Sequence, residues 1–236
     1  MSTTTAPLFP TLRLRRWQGV LLALLAVVLA ALLVFVIVQP IKVLPRIRLA
    51  PGFALRTADG SLLTNESLRG RFVLYSFTYV GCQAHTCPET DAIMRAVQSH
   101  LRQGRIGEVP VSLVTIVLDP ENATAAALQA YAGRVGADPA IWHFVTGDPT
   151  TLKTVVGAGF EVFYEAQADG SYVFSPAMFL VDGWGIVRAA YRPVIHPPSA
   201  DRILQHLNVL EREVRNSRGI ARLGYEAAHL FLCYAP

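Results

Sequence analysis

The chain has 236 residues, 52% of them hydrophobic, and a formal net charge of +4. That charge is uneven: residues 1–56 carry seven Lys or Arg and no acid, whereas residues 57–236 hold all 17 Asp and Glu against 14 basic side chains. The part beyond residue 56 is mildly acidic with no basic block, which excludes a nucleic-acid footprint, and it is long enough for one domain with its own core.

Residues 19–38, GVLLALLAVVLAALLVFVIV, form an unbroken apolar run of 20 residues. At ~1.5 Å rise per residue a helix of that length crosses a hydrocarbon core of roughly 30 Å. A cleaved signal peptide would have an apolar stretch of only ~7–15 residues and a small-x-small cleavage site. This run is too long, and VQPIKVLP (38–45) offers no such site. The expectation is a retained single transmembrane helix over 19–38, with 1–18 as an N-terminal segment. Arg13, Arg15 and Arg16 precede the span and Lys42, Arg46 and Arg48 follow it, so the positive-inside rule does not set its orientation. Residues 39–52, QPIKVLPRIRLAPG, contain three prolines among basic residues and read as a semi-extended linker.

Beyond the linker, two short strand-like runs flank an Asp59-Gly60 turn, predicting a hairpin. RFVLYSFTYV (71–80) reads as a buried strand and leads directly into VGCQAHTCPE (80–89), which holds Cys82, His85 and Cys87. Two cysteines in a short loop before a helix suggest a metal or redox site. Pro88 suits the first turn of that helix, with Ile93, Met94, Val97 and Leu101 at helical spacing behind it. A second buried strand follows at 109–119, a helix at 121–135 and a third strand at 141–147. Asp148 is a good N-cap for a short helix. Strands at 160–166 and 171–182 flank an Asp169-Gly170 turn, another strand covers 185–192, and Ser199 caps a helix to about Arg215. Strands alternating with helices, closing on a hairpin, imply an α/β thioredoxin-like fold over 53–215 with an N-terminal hairpin extension. The segment 216–236 then reads as a docking tail: Leu223, Ala227, Leu230 and Phe231 follow helical spacing and need a surface to cover them. Its own domain, a partner subunit and the bilayer surface are all open to it.

Several segments together resemble the Sco/SenC family: FALRTADGSLLTNESLRGRFVLYSFTYVGC…CPET, IVLDPENATAAALQAYA, FVTGDPTTLKTVVGAGFEVFYE and MFLVDGWGIVRAAY. The resemblance covers roughly residues 50–210. It implies a membrane-anchored thioredoxin-like domain of the kind that assists copper-centre assembly in cytochrome oxidase. It also implies an N-terminus in the cytoplasm and a domain on the periplasmic, outer side of the inner membrane.

Two departures bear on copper. The family's site joins two cysteines of a C-P-x-x-C-P loop to a histidine before a late strand, and such thiolate and imidazole donors suit copper. Here four residues separate Cys82 from Cys87 rather than three, and the alignment of YVFSPAMFLVD puts Phe174 at the histidine position. Pro176 resembles the proline before the late strand of TlpA-type proteins, which implies a cis Ser175–Pro176 bond packed over the cysteines.

With the domain outside the cytoplasm, a structural disulfide between Cys82 and Cys87 comes first, a redox pair second and a copper pair last. Glu89 and Asp91 in the following turn oppose a thiolate there. Should copper bind after all, His85 would be the third donor beside Cys82 and Cys87. His143, His196, His206 and His229 are scattered and single out no site. Asp119, in LDPE, is accounted for as a strand end before a helix start.

Three functions follow. The preferred one is a non-catalytic accessory subunit of a respiratory or photosynthetic electron-transfer complex, with no cofactor, the complex's subunits and the lipid bilayer as partners, and no nucleic acid. The alternatives are a copper chaperone for oxidase assembly and a thiol–disulfide reductase serving such a site.

Overall fold

The computed structural model describes residues 16–38, 42–82, 86–104 and 106–231, the side chains of 16, 32, 35, 36, 38, 86, 230 and 231 excepted. It divides into one compact unit ending at Ile41 and a second covering Lys42–Pro236.

The first unit is one helix, α1 (Arg16–Val38). Its apolar side chains are exposed on every face, Val20, Leu21, Leu22, Leu24 and Leu25 in near succession. Over the described residues no helix is long and apolar enough to cross a membrane. The expected span 19–38 includes side chains outside that description, since α1 is described without interruption only over 17–31.

The second unit is a mixed sheet with helices on both faces. In chain order its strands are β1 (Arg48–Leu49), β2 (Ala54–Thr57), β3 (Leu62–Thr64), β4 (Phe72–Thr78), β5 (Val111–Val117), β6 (Trp142–Thr146), β7 (Tyr164–Ala166), β8 (Tyr172–Phe174), β9 (Met178–Val181) and β10 (Ile186–Tyr191). Its helices are α2 (Thr86–Arg102), α3 (Ala125–Val135), α4 (Pro149–Leu152), α5 (Ala200–Asn216) and α6 (Ala221–Phe231), with a π-helical segment Lys153–Gly159 continuing α4. Eight strands form one sheet in the order β1-β10-β9-β4-β5-β6-β2-β3, and β7 and β8 make a separate hairpin. β4, β5 and β6 are parallel, while β9, β10 and the β2–β3 hairpin add antiparallel edges.

The period of two along β4 explains the two cores. Phe72 and Leu74 join Met94, Val97, Tyr131, Trp142, Leu207 and Leu210 on the face covered by α2, α3 and α5. Val73, Tyr75 and Phe77 join Leu55, Leu152, Val156, Phe160 and Phe179 on the other. β4 is buried on both faces, as its continuous apolar run demands. Asp148 and Ser199 cap their helices as expected, accepting from Thr151 N at 2.9 Å and Arg202 N at 3.3 Å.

Three expectations are corrected and one open choice is resolved. Residues 42–52 are not a free linker: Val43 and Leu44 are buried, and β1 pairs with β10 through Arg48–Val187 and Leu49–Ile186. Prolines there set an edge strand, where a missing N–H costs nothing. The strand expected over 171–182 is broken at Ser175–Ala177, which separates β8 in its hairpin from β9 in the main sheet. No cis peptide bond occurs among the described residues, so Ser175–Pro176 is trans. Trans is the default for X–Pro. The tail of 216–236, as far as it is described, forms α6 and docks on its own domain. Ala228 is fully buried, His229 Nε2 lies 2.9 Å from Glu213 Oε1, and Arg46 pairs with Glu226 at 3.0 Å.

Candidate functional site

β4 ends at Thr78 and delivers the chain to the cysteine loop. A tight turn, Cys82 N donating to Tyr79 O at 3.1 Å, starts that loop. Val80 N donates to Asp119 Oδ1 at 2.9 Å, which fastens the loop to the end of the neighbouring β5. Burial raises the Asp119 carboxyl pKa, against the pull of the Val80 hydrogen bond. Helix α2 begins at Thr86, two residues before the expected start, so Cys87 sits in its first turn.

Cys82 and Cys87 form a disulfide with a Cα–Cα separation of 6.2 Å, inside the span of about 4.4–6.8 Å that such bonds allow. Both cysteines are buried, in a small cluster with Tyr79, Tyr172 and Phe174. The Tyr79 ring lies 5.7 Å from Tyr172 and meets Phe174 edge-on at 6.4 Å. Tyr172 is tied down by its hydroxyl, which donates to Glu121 Oε2 at 3.2 Å. Burial first, and then the Glu121 carboxylate, push the Tyr172 pKa up to about 12. The sulfurs therefore lie under an aromatic cover carried by the β7–β8 hairpin. Reducing the disulfide is expected to lower stability by about 2 kcal/mol, the chain-entropy value for so short a loop. Urea unfolding with and without a phosphine reductant measures it.

Behind the disulfide runs a polar chain. Thr78 Oγ1 lies 3.6 Å from Cys87 Sγ and 2.9 Å from the Tyr131 hydroxyl, and Tyr131 donates to Asp91 Oδ2 at 2.9 Å. The Arg134 guanidinium lies 4.4 Å from the Tyr131 ring centre. Burial pushes Tyr131 up to about 12 and raises Asp91, opposed there by the Tyr131 hydrogen bond and by Arg95 and Arg134. A carboxyl raised on folding binds its proton more tightly in the folded state. Its contribution to stability is complete below the unfolded pKa and is lost as pH rises through the folded one. Asp91→Asn keeps an acceptor for Tyr131 and removes the titration. It is expected to gain stability relative to the parent protein as pH rises between about 3 and 7, read from urea midpoints across that range.

The structure brings Cys82, Cys87 and Phe174 together, as the alignment implied. His85 lies in 83–85, outside the described residues. His206 Nδ1 is 2.7 Å from the Tyr191 hydroxyl and His229 bonds to Glu213, so each is committed elsewhere. Among the described residues no group of three or more His, Cys, Asp and Glu could hold a metal ion. Two sulfurs bonded to each other, beside a phenyl ring where an imidazole would stand, do not fit a three-donor copper site. Thr78, Tyr79 and Tyr131 were not singled out by the sequence, and Asp91 and Asp119 were read there only as an acid opposing a thiolate and as a strand end before a helix start. Only the apolar run of β4 ending in a threonine before the cysteines hinted at Thr78.

Comparison with known proteins gives the family and the fold. The SCO1/SenC family model matches residues 43–208. The SCO1 protein homolog of Bacillus subtilis (strain 168) is 25% identical over 153 residues, 64% of this chain and 77% of that protein. The fold resembles a SCO1/SenC family lipoprotein from Bacillus anthracis str. Ames, with TM-score 0.61, 20% identity, and 68% of this chain and 93% of that one covered. It also resembles Arabidopsis thaliana ScoI, solved with copper bound, with TM-score 0.58, 22% identity, and 71% and 98% covered. With its two-core α/β sheet, its cysteine pair at the end of β4 and a family match over most of its length, the chain belongs to the SCO1/SenC family.

Proposed function

We propose that this chain is a membrane-anchored Sco-family domain that serves as a non-catalytic accessory subunit of a respiratory or photosynthetic electron-transfer complex and carries no cofactor. The observation that carries the reading is the aromatic cover: Phe174, Tyr79 and Tyr172 pack on the Cys82–Cys87 disulfide where a third copper donor would be needed. A family member without its metal ligands keeps a stable fold and surfaces for docking. Helix α1 is the anchor. Its support is the charge-free run 19–38 and the exposure of apolar side chains on all its faces, which only a bilayer or a larger core satisfies. By family analogy the N-terminus is cytoplasmic and the domain stands on the periplasmic side of the inner membrane. Its partners are subunits of the complex and the bilayer itself.

Purification of the tagged full-length chain in mild detergent tests this. Stoichiometric haem or iron–sulfur subunits in the eluate support it, and a solitary chain contradicts it. The retained disulfide, with Thr78 beside one of its sulfurs, favours thiol–disulfide exchange as the second reading. A disulfide-reductase assay on the same sample separates the two. Copper delivery, the activity the family suggests, would rest on His85 as the third donor.

A further inference from the structure

Beside the docked C-terminal helix, one face of the domain has features that neither the disulfide site nor the cores use. The turn between β9 and β10 projects Trp184 into solvent at 75% exposure. This turn is braced: Asp182 Oδ1 accepts from Trp184 N at 2.9 Å and Ile186 N at 3.0 Å, and Arg69 Nη1 donates to Trp184 O at 2.8 Å. Gly185 takes the left-handed conformation, φ 79°, and a side chain at Gly183 would meet the Gly70 Cα at 3.2 Å. A large apolar side chain held outward by so many backbone contacts is presented rather than left over.

Trp184 lines a groove of 570 Å³ together with Arg46, Val214, Arg222 and Glu226. Beside Arg222 of that groove, Ile220 just before α6 is 89% exposed and Leu223 in its first turn 73%. Arg218 and Arg222, both exposed, flank the start of α6 beside this groove. Glu213 is buried and bound to Arg188 and His229. Glu226 pairs with Arg46 and Glu66 with Arg69, so Arg218 and Arg222 are the positive excess of this face, interleaved with tryptophan and aliphatic side chains. That mixture matches the headgroup zone of an anionic bilayer, where Trp sits at the interface and Arg meets the headgroups.

The covalent chain favours the same occupant. Residues 39–42 are the whole connection between α1 and the buried Val43, and each spans at most ~3.6 Å. Arg46, three residues further on, belongs to the groove itself. Resting on the reading of α1 as a membrane anchor, we propose that the face formed by Trp184, Arg46 and the start of α6 lies on the anionic headgroups of the bilayer that holds α1. The domain is then oriented on the membrane, with its cysteine loop presented in one direction rather than swinging on a free tether.

Tryptophan quenching in the full-length chain tests this, because Trp17, Trp142 and Trp184 report on different places. Trp142 is buried in the core at 1% exposure and supplies an unquenched baseline. The chain is reconstituted in nanodiscs whose lipids are brominated high on their acyl chains, either anionic or neutral. In a Trp17→Phe variant, loss of the Trp184 emission in anionic discs is expected. Arg218→Glu/Arg222→Glu introduced into that background is expected to restore it. In a Trp184→Phe variant, Trp17 reports the anchor alone. Quenching of Trp17 without quenching of Trp184 would overturn the inference and leave the anchor standing. Quenching of neither would remove the anchor and the inference with it. Equal quenching of Trp184 in neutral discs would overturn the assignment of anionic lipid.

Discussion

Phe174→His is expected to give this proposed cofactor-free domain a copper site. Phe174 already packs against Cys82 and Cys87, so an imidazole at that position adds a nitrogen donor beside two sulfurs once the disulfide is reduced. Three such donors suit both Cu(I) and Cu(II). A gain of about 100-fold or more in Cu(I) affinity over the parent chain, roughly 3 kcal/mol, is expected. Anaerobic competition against a chromophoric chelator measures it, with Cys82→Ser/Cys87→Ser in the same background as control. A variant that stays silent would shift the defect from the missing imidazole to the four-residue gap between the cysteines.

The second large effect is expected at Arg188. This side chain is 3% exposed, and its guanidinium is bound on every side. Nη1 pairs with Asp182 Oδ2 at 3.0 Å and Nη2 with Glu213 Oε2 at 2.7 Å. Nη2 also donates to Leu44 O at 2.7 Å, and Nε to Pro45 O at 3.2 Å. One residue of β10 thus ties together the start of the domain, the turn after β9 and α5. Glu213 adds α6 through His229. Arg188→Ala leaves buried Asp182 without its ionic partner, Glu213 with His229 alone, and two carbonyls without this donor. A loss of about 3–5 kcal/mol is expected, a large share of a typical stability of about 5–15 kcal/mol. Arg188→Lys recovers only part of it, because a point charge cannot make a planar set of bonds.

The pH dependence has a definite sign at the same place. Burial alone would raise Glu213, but hydrogen bonds from His229 and Arg188 override it and hold the carboxyl below its ordinary value. That contribution is present above the unfolded pKa and is lost as pH falls through the folded one. In Arg188→Ala the loss shrinks, because only the His229 hydrogen bond then holds the carboxyl down. Urea unfolding at neutral and acidic pH reads both effects.

Local pattern made much of this molecule legible. The alternation along β4 assigns its side chains to two cores, and Asp148 and Ser199 announce their helices through one side-chain oxygen each. The cysteine pair and Phe174 were readable because family spacing brings them into register. Long-range pairing was not readable. Residues 39–52 look like a basic, proline-rich spacer until Arg188, more than 140 positions away, binds the carbonyls of Leu44 and Pro45. Thr78, Asp91 and Tyr131 belong to three different elements, and each is an ordinary strand or helix residue until the fold aligns their oxygens. Pro176 misled for the opposite reason: a local motif suggested a cis bond, and Ser175–Pro176 is trans.

On the function proposed above, an aromatic-covered disulfide stands in place of the family's copper site. Cu(I) titration of the reduced full-length chain against a chromophoric chelator, beside the Cys82→Ser/Cys87→Ser control, tests it most directly. The expected result is no competition beyond that of the control. Tight one-to-one binding that the control abolishes would contradict it, identify His85 as the replacement donor to examine, and make this chain a working copper protein.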